Sequence, residues 1–147
     1  MAEDGFVTAR RKARTAAFQV LYEVDCVNHP LDEVCKRHLN GRRLPKAAVA
    51  FAEGLVGGVQ DNLAFIDGVI ASLAPTWPVS QLSIVDRSLL RLAVLELLVE
   101  RATPPKVVIN ETVELAKQYG SDGSPRFING VLGSAVEMGE ALDGTNE

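Results

Sequence analysis

Four cations lie within five residues near the start of the chain, a spacing that suits the binding of a polyanion. They are Arg10, Arg11, Lys12 and Arg14. Because these four contribute +4 to a chain whose formal net charge is −4, the remaining residues must sum to −8. Cations at a helix N-terminus oppose the helix macrodipole unless an anion binds there. A basic segment on an acidic body therefore indicates one anionic partner, with a solvated basic face as the alternative.

A second candidate site follows a predicted helix–loop–helix turn. Gly120 stands where a helix favours a left-handed residue at its end, and Ser124 followed by Pro125 predicts an N-cap and a first-turn proline. The new helix then carries Arg126 and Phe127 beside free backbone N–H groups, which suit a phosphate and a stacked base. The alternative is a core phenylalanine beside a solvated arginine, because most first-turn aromatic rings pack against a neighbouring helix.

Both cysteines and both histidines fall in a pattern that could indicate zinc. Cys26-x2-His29 is followed, after five residues, by Cys35-x2-His38. The five-residue interval is shorter than common finger spacings. Cys35 also falls on an amphipathic stripe after Pro30, where a free thiol behaves as a small hydrophobic side chain. We therefore expect two free, buried thiols, with no metal and no cofactor.

Few residues could perform catalysis. An enzyme needs an activated nucleophile, an acid–base pair or a metal, and the only two histidines belong to the pattern just described. Helical carboxylates beside cations more often form surface pairs. The carboxylates considered are Asp86, Glu96, Glu111 and Glu114. We expect a protein that is not an enzyme.

Composition predicts helices as the elements that position these residues. The 147 residues are 47% hydrophobic and 23% charged, with few alternating Val, Ile and Thr runs, which favours an all-α domain over a sheet. We expect about seven helices over residues 8–139, in two subdomains of roughly 8–74 and 78–139 separated by Pro75-Thr76-Trp77-Pro78. The flanking residues, 1–7 and 140–147, are expected to be flexible.

The sequence also predicts particular helices and a compartment. A long helical pattern runs from Ala48 to Leu73 and could bend at Gly57-Gly58. Ser83 with Asp86 resembles a capping box, and it opens an apolar helix that includes Leu89 to Val99. No segment approaches the roughly 20 apolar residues of a membrane span. With two cysteines and no signal-peptide pattern, we expect a cytoplasmic protein that does not bind membranes.

Three stretches of the chain carry a specific resemblance. They are ARRKARTAAFQVLYEVD, SIVDRSLLRLAVLELL and PKVVINETVELAKQYGSDGSPRFINGVL. They resemble the NusB family of bacterial transcription antitermination factors, and the similarity runs from Arg10 to Ala135, weakest between Val27 and Val59. Two departures stand out: an acidic start precedes the basic run, and Pro125-Arg126 lies in a segment that varies among relatives.

The resemblance implies an all-helical, two-subdomain protein that binds the boxA element of ribosomal RNA transcripts together with NusE, a small-subunit ribosomal protein. Other Nus factors and RNA polymerase would be engaged indirectly, and a homodimer is left open. The RNA contacts carried over by matching position are Arg10, Arg11, Lys12, Arg14, Gln19, Arg126, Phe127 and Asn129. The NusE-facing residues carried over are Tyr22 and Asp86. Residue types alone indicate the basic run and Phe127, but give no reason to select Gln19 or Tyr22.

Two alternatives are kept. One is an RNA-binding domain like that fused to certain ribosomal-RNA cytosine methyltransferases, which shares the helical fold of the family. A methyltransferase also needs a glycine-rich cofactor loop after a strand, and the sequence contains no such pattern. The other is a purely structural homo-oligomer, which sedimentation with and without RNA would distinguish.

Overall fold

A computed structural model describes residues 2–76 and 78–145, and in these ranges every regular element is helical. Trp77, part of the predicted subdomain boundary, lies outside the described residues, as do Met1 and the last two residues. The α-helices are α1 (Ala2–Val27), α2 (Leu31–Asn40), α3 (Lys46–Asp61), α4 (Leu63–Leu73), α5 (Ile84–Val94), α6 (Pro105–Tyr119) and α7 (Ser124–Thr145). The expected all-α class with about seven helices is confirmed. None of the described helices is long and apolar enough to cross a membrane.

The chain forms two compact units, Met1–Gln60 and Asp61–Glu147, so the division falls at the end of α3. Pro75, Thr76 and Pro78, at the predicted boundary, fall inside the second unit. The reason is α4, which buries Ile66 and Ile70 and packs against α5 and α7. The helix predicted from Ala48 to Leu73 is interrupted at Asn62, whose φ of −116° and ψ of 18° leave the helical region, and not at the two glycines.

The first unit is built on α1, which packs against α2. Ala13, Ala16, Ala17 and Val20 are fully buried at helical spacing and form the apolar face of α1. Residues 2–7, predicted to be flexible, are the first turns of this helix, and residues 140–145 are likewise the end of α7.

The second unit is centred on α5. Ser83 Oγ accepts a hydrogen bond from the Asp86 N–H at 3.1 Å, as the predicted capping box requires. The chain continues from α5 into a π-helical segment, Leu95–Glu100, whose first residues are buried. Arg101 then ends the segment in a left-handed conformation, with φ of 55°, and its guanidinium pairs with Asp143 of α7.

Candidate nucleic-acid interface

The basic segment of α1 is divided between an inner and an outer side. Arg10 and Arg14 are one helical turn apart, and both guanidinium groups lie over the Phe51 ring of α3, at 3.9 and 5.1 Å from its centroid. Arg14 is only 6% exposed, whereas Arg11 and Lys12 are exposed to solvent. An anionic partner would meet four exposed cations only if all of them faced outward, but Arg14 does not, and Arg10 is half-buried.

Helical spacing explains this division, since it places Arg10 and Arg14 on the side of α1 that meets Phe51, and the chemistry of their side chains suits that position. A guanidinium is planar and weakly hydrated, so it can stack on an aromatic face at lower desolvation cost than an ammonium. Phe51 supplies that face for Arg10 and Arg14, and Lys12 stays in water. A buried guanidinium that covers Phe51 cannot reach a phosphate without leaving the ring. Arg11 and Lys12 are thus the cations of this segment best placed to meet a polyanion.

Gln19 and Tyr22 lie further along α1 and are held by neighbours in the first unit. Arg42, in the segment after α2, donates a hydrogen bond to the side-chain oxygen of Gln19. Tyr22 is 38% exposed, and the centroid of its ring lies 6.2 Å from that of the buried Phe18. Nothing in the sequence pattern paired Arg42 with Gln19, because the contact joins residues that are 23 positions apart.

The histidines of the predicted zinc pattern contact one carboxylate. Glu23 of α1 accepts from Arg37 at 2.8 Å and lies 3.0 Å from His29 Nδ1 and 3.1 Å from His38 Nε2. These hydrogen bonds, with that of Arg37 the largest, hold the Glu23 pKa well below its usual range. The arrangement is an ion-pair cluster that fastens the end of α1 to α2.

The two cysteines differ from the expectation of buried thiols. Cys26 is exposed and Cys35 is half-buried, and both are free. Burial, followed by the nearby charges of Glu53 and Asp32, raises the pKa of the Cys35 thiol. Within residues 2–76 and 78–145, no cluster of His, Cys, Asp and Glu side chains has the geometry to hold a metal ion.

The turn between α6 and α7 closes in a way that the sequence did not predict. Gly120 is extended, with φ of −91° and ψ of −172°, so it is not a left-handed cap. A Cβ at this position would lie 2.6 Å from Cβ and Oγ of Ser124, so the turn requires glycine because of close approach. Ser124 is buried, and its hydroxyl accepts from the Ser121 N–H at 3.0 Å instead of capping α7.

The first turns of α7 carry the other predicted RNA contacts. Arg126 and Asn129, three residues apart on one side of the helix, are both exposed, and Phe127 is half-buried. The Phe127 N–H donates to the Gly123 carbonyl at 3.1 Å, and the Ser124 N–H donates to Ser121. Pro125 has no N–H, so these two bonds leave fewer free N–H donors in the first turn of α7 than expected.

Asp86 lies half-buried in the first turn of α5, in the second unit. Its backbone N–H is bonded to Ser83, but the Oδ1 atom is buried and has no hydrogen-bond partner in the described part of the chain. A buried acceptor left unpaired costs about 1–3 kcal/mol. The Oδ1 atom of Asp86 is therefore an unsatisfied acceptor within the described part of the chain.

The predicted residues thus form two sets. One set is on α1 in the first unit, and it comprises Arg10, Arg11, Lys12, Arg14, Gln19 and Tyr22. The other is in the second unit, with Asp86 on α5 and Arg126, Phe127 and Asn129 on α7. Sequence reasoning missed Phe51 and Arg42, the residues that hold members of the first set.

Similarity to known proteins extends over nearly the whole chain. The model of the NusB family matches residues 11–137. A transcription antitermination protein NusB from Roseiflexus sp. (strain RS-1) is 48% identical over 129 residues, which cover 86% of this chain and 91% of that protein. The protein of the same name from Chloroflexus aggregans is 45% identical, with 86% of both chains covered.

Solved structures show the same fold. T. maritima NusB is 35% identical and matches with a TM-score of 0.82, covering 87% of this chain and 90% of its own. A crystal structure of the antitermination factors NusB and NusE in complex with double-stranded RNA contains a chain that is 30% identical. That chain matches with a TM-score of 0.82, over 89% of this chain and 98% of its own length.

Proposed function

The chain belongs to the NusB family, and we propose that it is a transcription antitermination factor that binds boxA RNA of ribosomal RNA transcripts together with the ribosomal protein NusE. The proposal is supported by relatives named as transcription antitermination proteins and by a related chain crystallised with NusE and RNA. Such a role is that of a cytoplasmic binding protein and not of an enzyme.

The observation that carries the RNA-binding part is the exposed pair Arg11 and Lys12, on the first half of a helix in an otherwise acidic chain. These cations can neutralise phosphates, and Arg10 lies beside them with its guanidinium held on Phe51. In the second unit, Arg126 and Asn129 offer exposed polar groups next to the Phe127 ring. The first set supplies charge, and the second supplies a ring face and directional hydrogen bonds.

The test is a titration of the protein against boxA RNA and a scrambled RNA of equal length, with and without NusE. We expect boxA to bind more tightly than the scrambled RNA, and NusE to increase the difference. Replacing Arg11 and Lys12 by Ala should weaken the binding of both RNAs. The matched control is Lys106→Ala, which removes an exposed cation on α6 and should leave the binding of both RNAs unchanged. Equal affinity for the two RNAs in the presence of NusE would contradict the proposal.

The NusE part of the proposal rests on Asp86, which lies partly exposed in the first turn of α5. Asp86→Lys should weaken NusE binding by replacing an acceptor with a cation. Asp86→Asn keeps one acceptor oxygen and should weaken NusE binding less than Asp86→Lys does. If Asp86 serves only its own helix, both variants would lower the melting temperature while the NusE affinity measured by calorimetry stays unchanged.

A further inference from the structure

A small cavity opens beside the basic segment, between the start of α1 and the start of α3. Its volume is about 220 Å³, and its lining includes Gly5, Phe6, Arg10, Pro45 and Ala48. This is smaller than the roughly 300–1,000 Å³ of pockets for drug-sized ligands, so it matches one flat ring system. All of these residues belong to the first unit.

The side chains at this cavity present flat faces. The guanidinium of Arg10 lies 4.9 Å from the Phe6 centroid and 3.9 Å from the Phe51 centroid. Phe6 is 59% exposed, so much of its ring is available to a ligand. An exposed phenylalanine that stacks on a guanidinium is a surface on which a further planar group can stack.

The edge of the Arg10 guanidinium is also available. It lies over two rings, and its N–H groups make no hydrogen bond or ion pair with residues 5–76 and 78–144, whose side chains the structure describes. A guanidinium held in this way presents two parallel donors in a fixed plane, which match the O6 and N7 acceptors of guanine. Other bases offer a poorer match, because adenine places a donor where guanine has O6.

From this geometry we propose that Phe6, Arg10 and the cavity form a pocket for one unpaired guanine of the bound RNA. The base stacks on Phe6, and its O6 and N7 accept from Arg10. Arg11 and Lys12, exposed one and two residues further on, would hold the flanking phosphates. The inference rests on the proposed RNA binding and adds to it a base preference and a residue, Phe6, that lies before the matched family segment.

The experiment uses the full chain and uridine oligomers of equal length, in which one central residue is uridine, guanine, adenine or 7-deazaguanine. Fluorescence anisotropy measures the four affinities. A single guanine should raise the affinity of the wild-type protein on the order of 10- to 100-fold, the range of one bidentate arginine–guanine pair. Adenine should give little of this gain, and 7-deazaguanine, which lacks N7, should give only part of it.

Two pairs of variants test the residues. Arg10→Lys keeps the charge but loses the planar pair of donors, so the guanine gain should disappear, whereas Arg43→Lys, an exposed arginine after α2, should retain it. Phe6→Ala should weaken binding of the guanine oligomer at least about 5-fold through lost stacking, with Val7→Ala as its neighbour control. Thermal unfolding of each variant shows that the fold is kept.

The outcomes separate the pocket from the wider function. If boxA RNA binds but the uridine oligomers show no guanine gain, or if Arg10→Lys keeps that gain, the pocket proposal is wrong and the proposed function stands. If Phe6→Ala changes the affinity for NusE and not for RNA, the cavity is a protein-docking site and the proposal is likewise wrong. If no RNA binds, both proposals fail.

Discussion

The α1 segment and the α6–α7 turn hold their proposed RNA contacts by different means. On α1, a ring from another helix, Phe51, fixes the guanidinium groups of Arg10 and Arg14. At the α6–α7 turn, residues within five positions of one another fix the backbone, through the contact of Gly120 with Ser124 and the bonds from Ser121. Side-chain direction therefore depends on tertiary packing in the first region and on local geometry in the second.

The largest effect on RNA affinity is expected at Phe127, which is half-buried and so can both pack in the protein and contact a ligand. Phe127→Ala should weaken boxA binding roughly 5- to 150-fold, since stacking of one base contributes about 1–3 kcal/mol. The dependence of affinity on salt should stay near that of the wild type, because no phosphate contact is lost. RNA titrations at several salt concentrations provide the measurement.

The competing role of Phe127 is that of a core residue. Loss of a fully buried phenylalanine costs about 3–5 kcal/mol of unfolding free energy. Denaturant melts of Phe127→Ala measure this cost, and Asn129→Ala, exposed on the same helix, is the control for stability. A loss of that size, with full RNA affinity in the folded fraction, would exclude the stacking role. Asn129→Ala should instead reduce the difference in affinity between boxA RNA and scrambled RNA.

The next effect tests whether close approach fixes the α6–α7 turn. Gly120→Ala places a Cβ 2.6 Å from Ser124, so the turn must shift, and overpacking of this kind typically costs about 1–3 kcal/mol. Gly123→Ala is the matched control, since a Cβ there meets nothing within 4 Å. Denaturant melts measure the unfolding free energies of both variants. Equal unfolding free energies of the two variants would show that the turn accommodates the added Cβ without loss of stability.

Sequence patterns predicted the features that depend on neighbouring residues. The Ser83–Asp86 cap and the start of α7 within one residue of Pro125 both follow from local spacing. The Gly120 position was also identified, although for the wrong reason, because both a left-handed cap and a close approach favour glycine.

Features that depend on distant residues were not predicted. The boundary between the two units follows from the packing of α4 against α5 and α7, which composition does not reveal. A count of charges also treats Arg11 and Arg14 alike. In the structure Arg11 is exposed, whereas Arg14 is only 6% exposed and lies over the Phe51 ring. The RNA-binding and NusE-binding roles of individual residues stay predictions.

A smaller effect should separate the two kinds of cation on α1. Replacing Arg11 and Lys12 by Met should reduce the slope of log affinity against log salt by up to about 0.7 for each lost single-strand phosphate contact. Arg14→Met should leave this slope unchanged and lower stability, by about 2 kcal/mol if its contact with Phe51 is fully desolvated. Salt titrations and thermal melts on the two proteins check both statements. A reduced slope in Arg14→Met would mean that this side chain leaves Phe51 to meet RNA.

The smallest effect concerns acid stability at the far end of α1. Because the pKa of Glu23 in the folded protein lies below its ordinary value near 4.3, the ionised carboxylate favours folding at pH above that value. This contribution is lost as the pH falls from about 4.3 towards the folded pKa. Glu23→Gln should therefore lower the melting temperature at neutral pH, and the difference from wild type should shrink in acid. Glu53→Gln, an exposed acid on α3, should show no such convergence. A constant difference between Glu23→Gln and wild type across pH would mean that Arg37, His29 and His38 hold the side chain by hydrogen bonds that an amide can replace, and not by its charge.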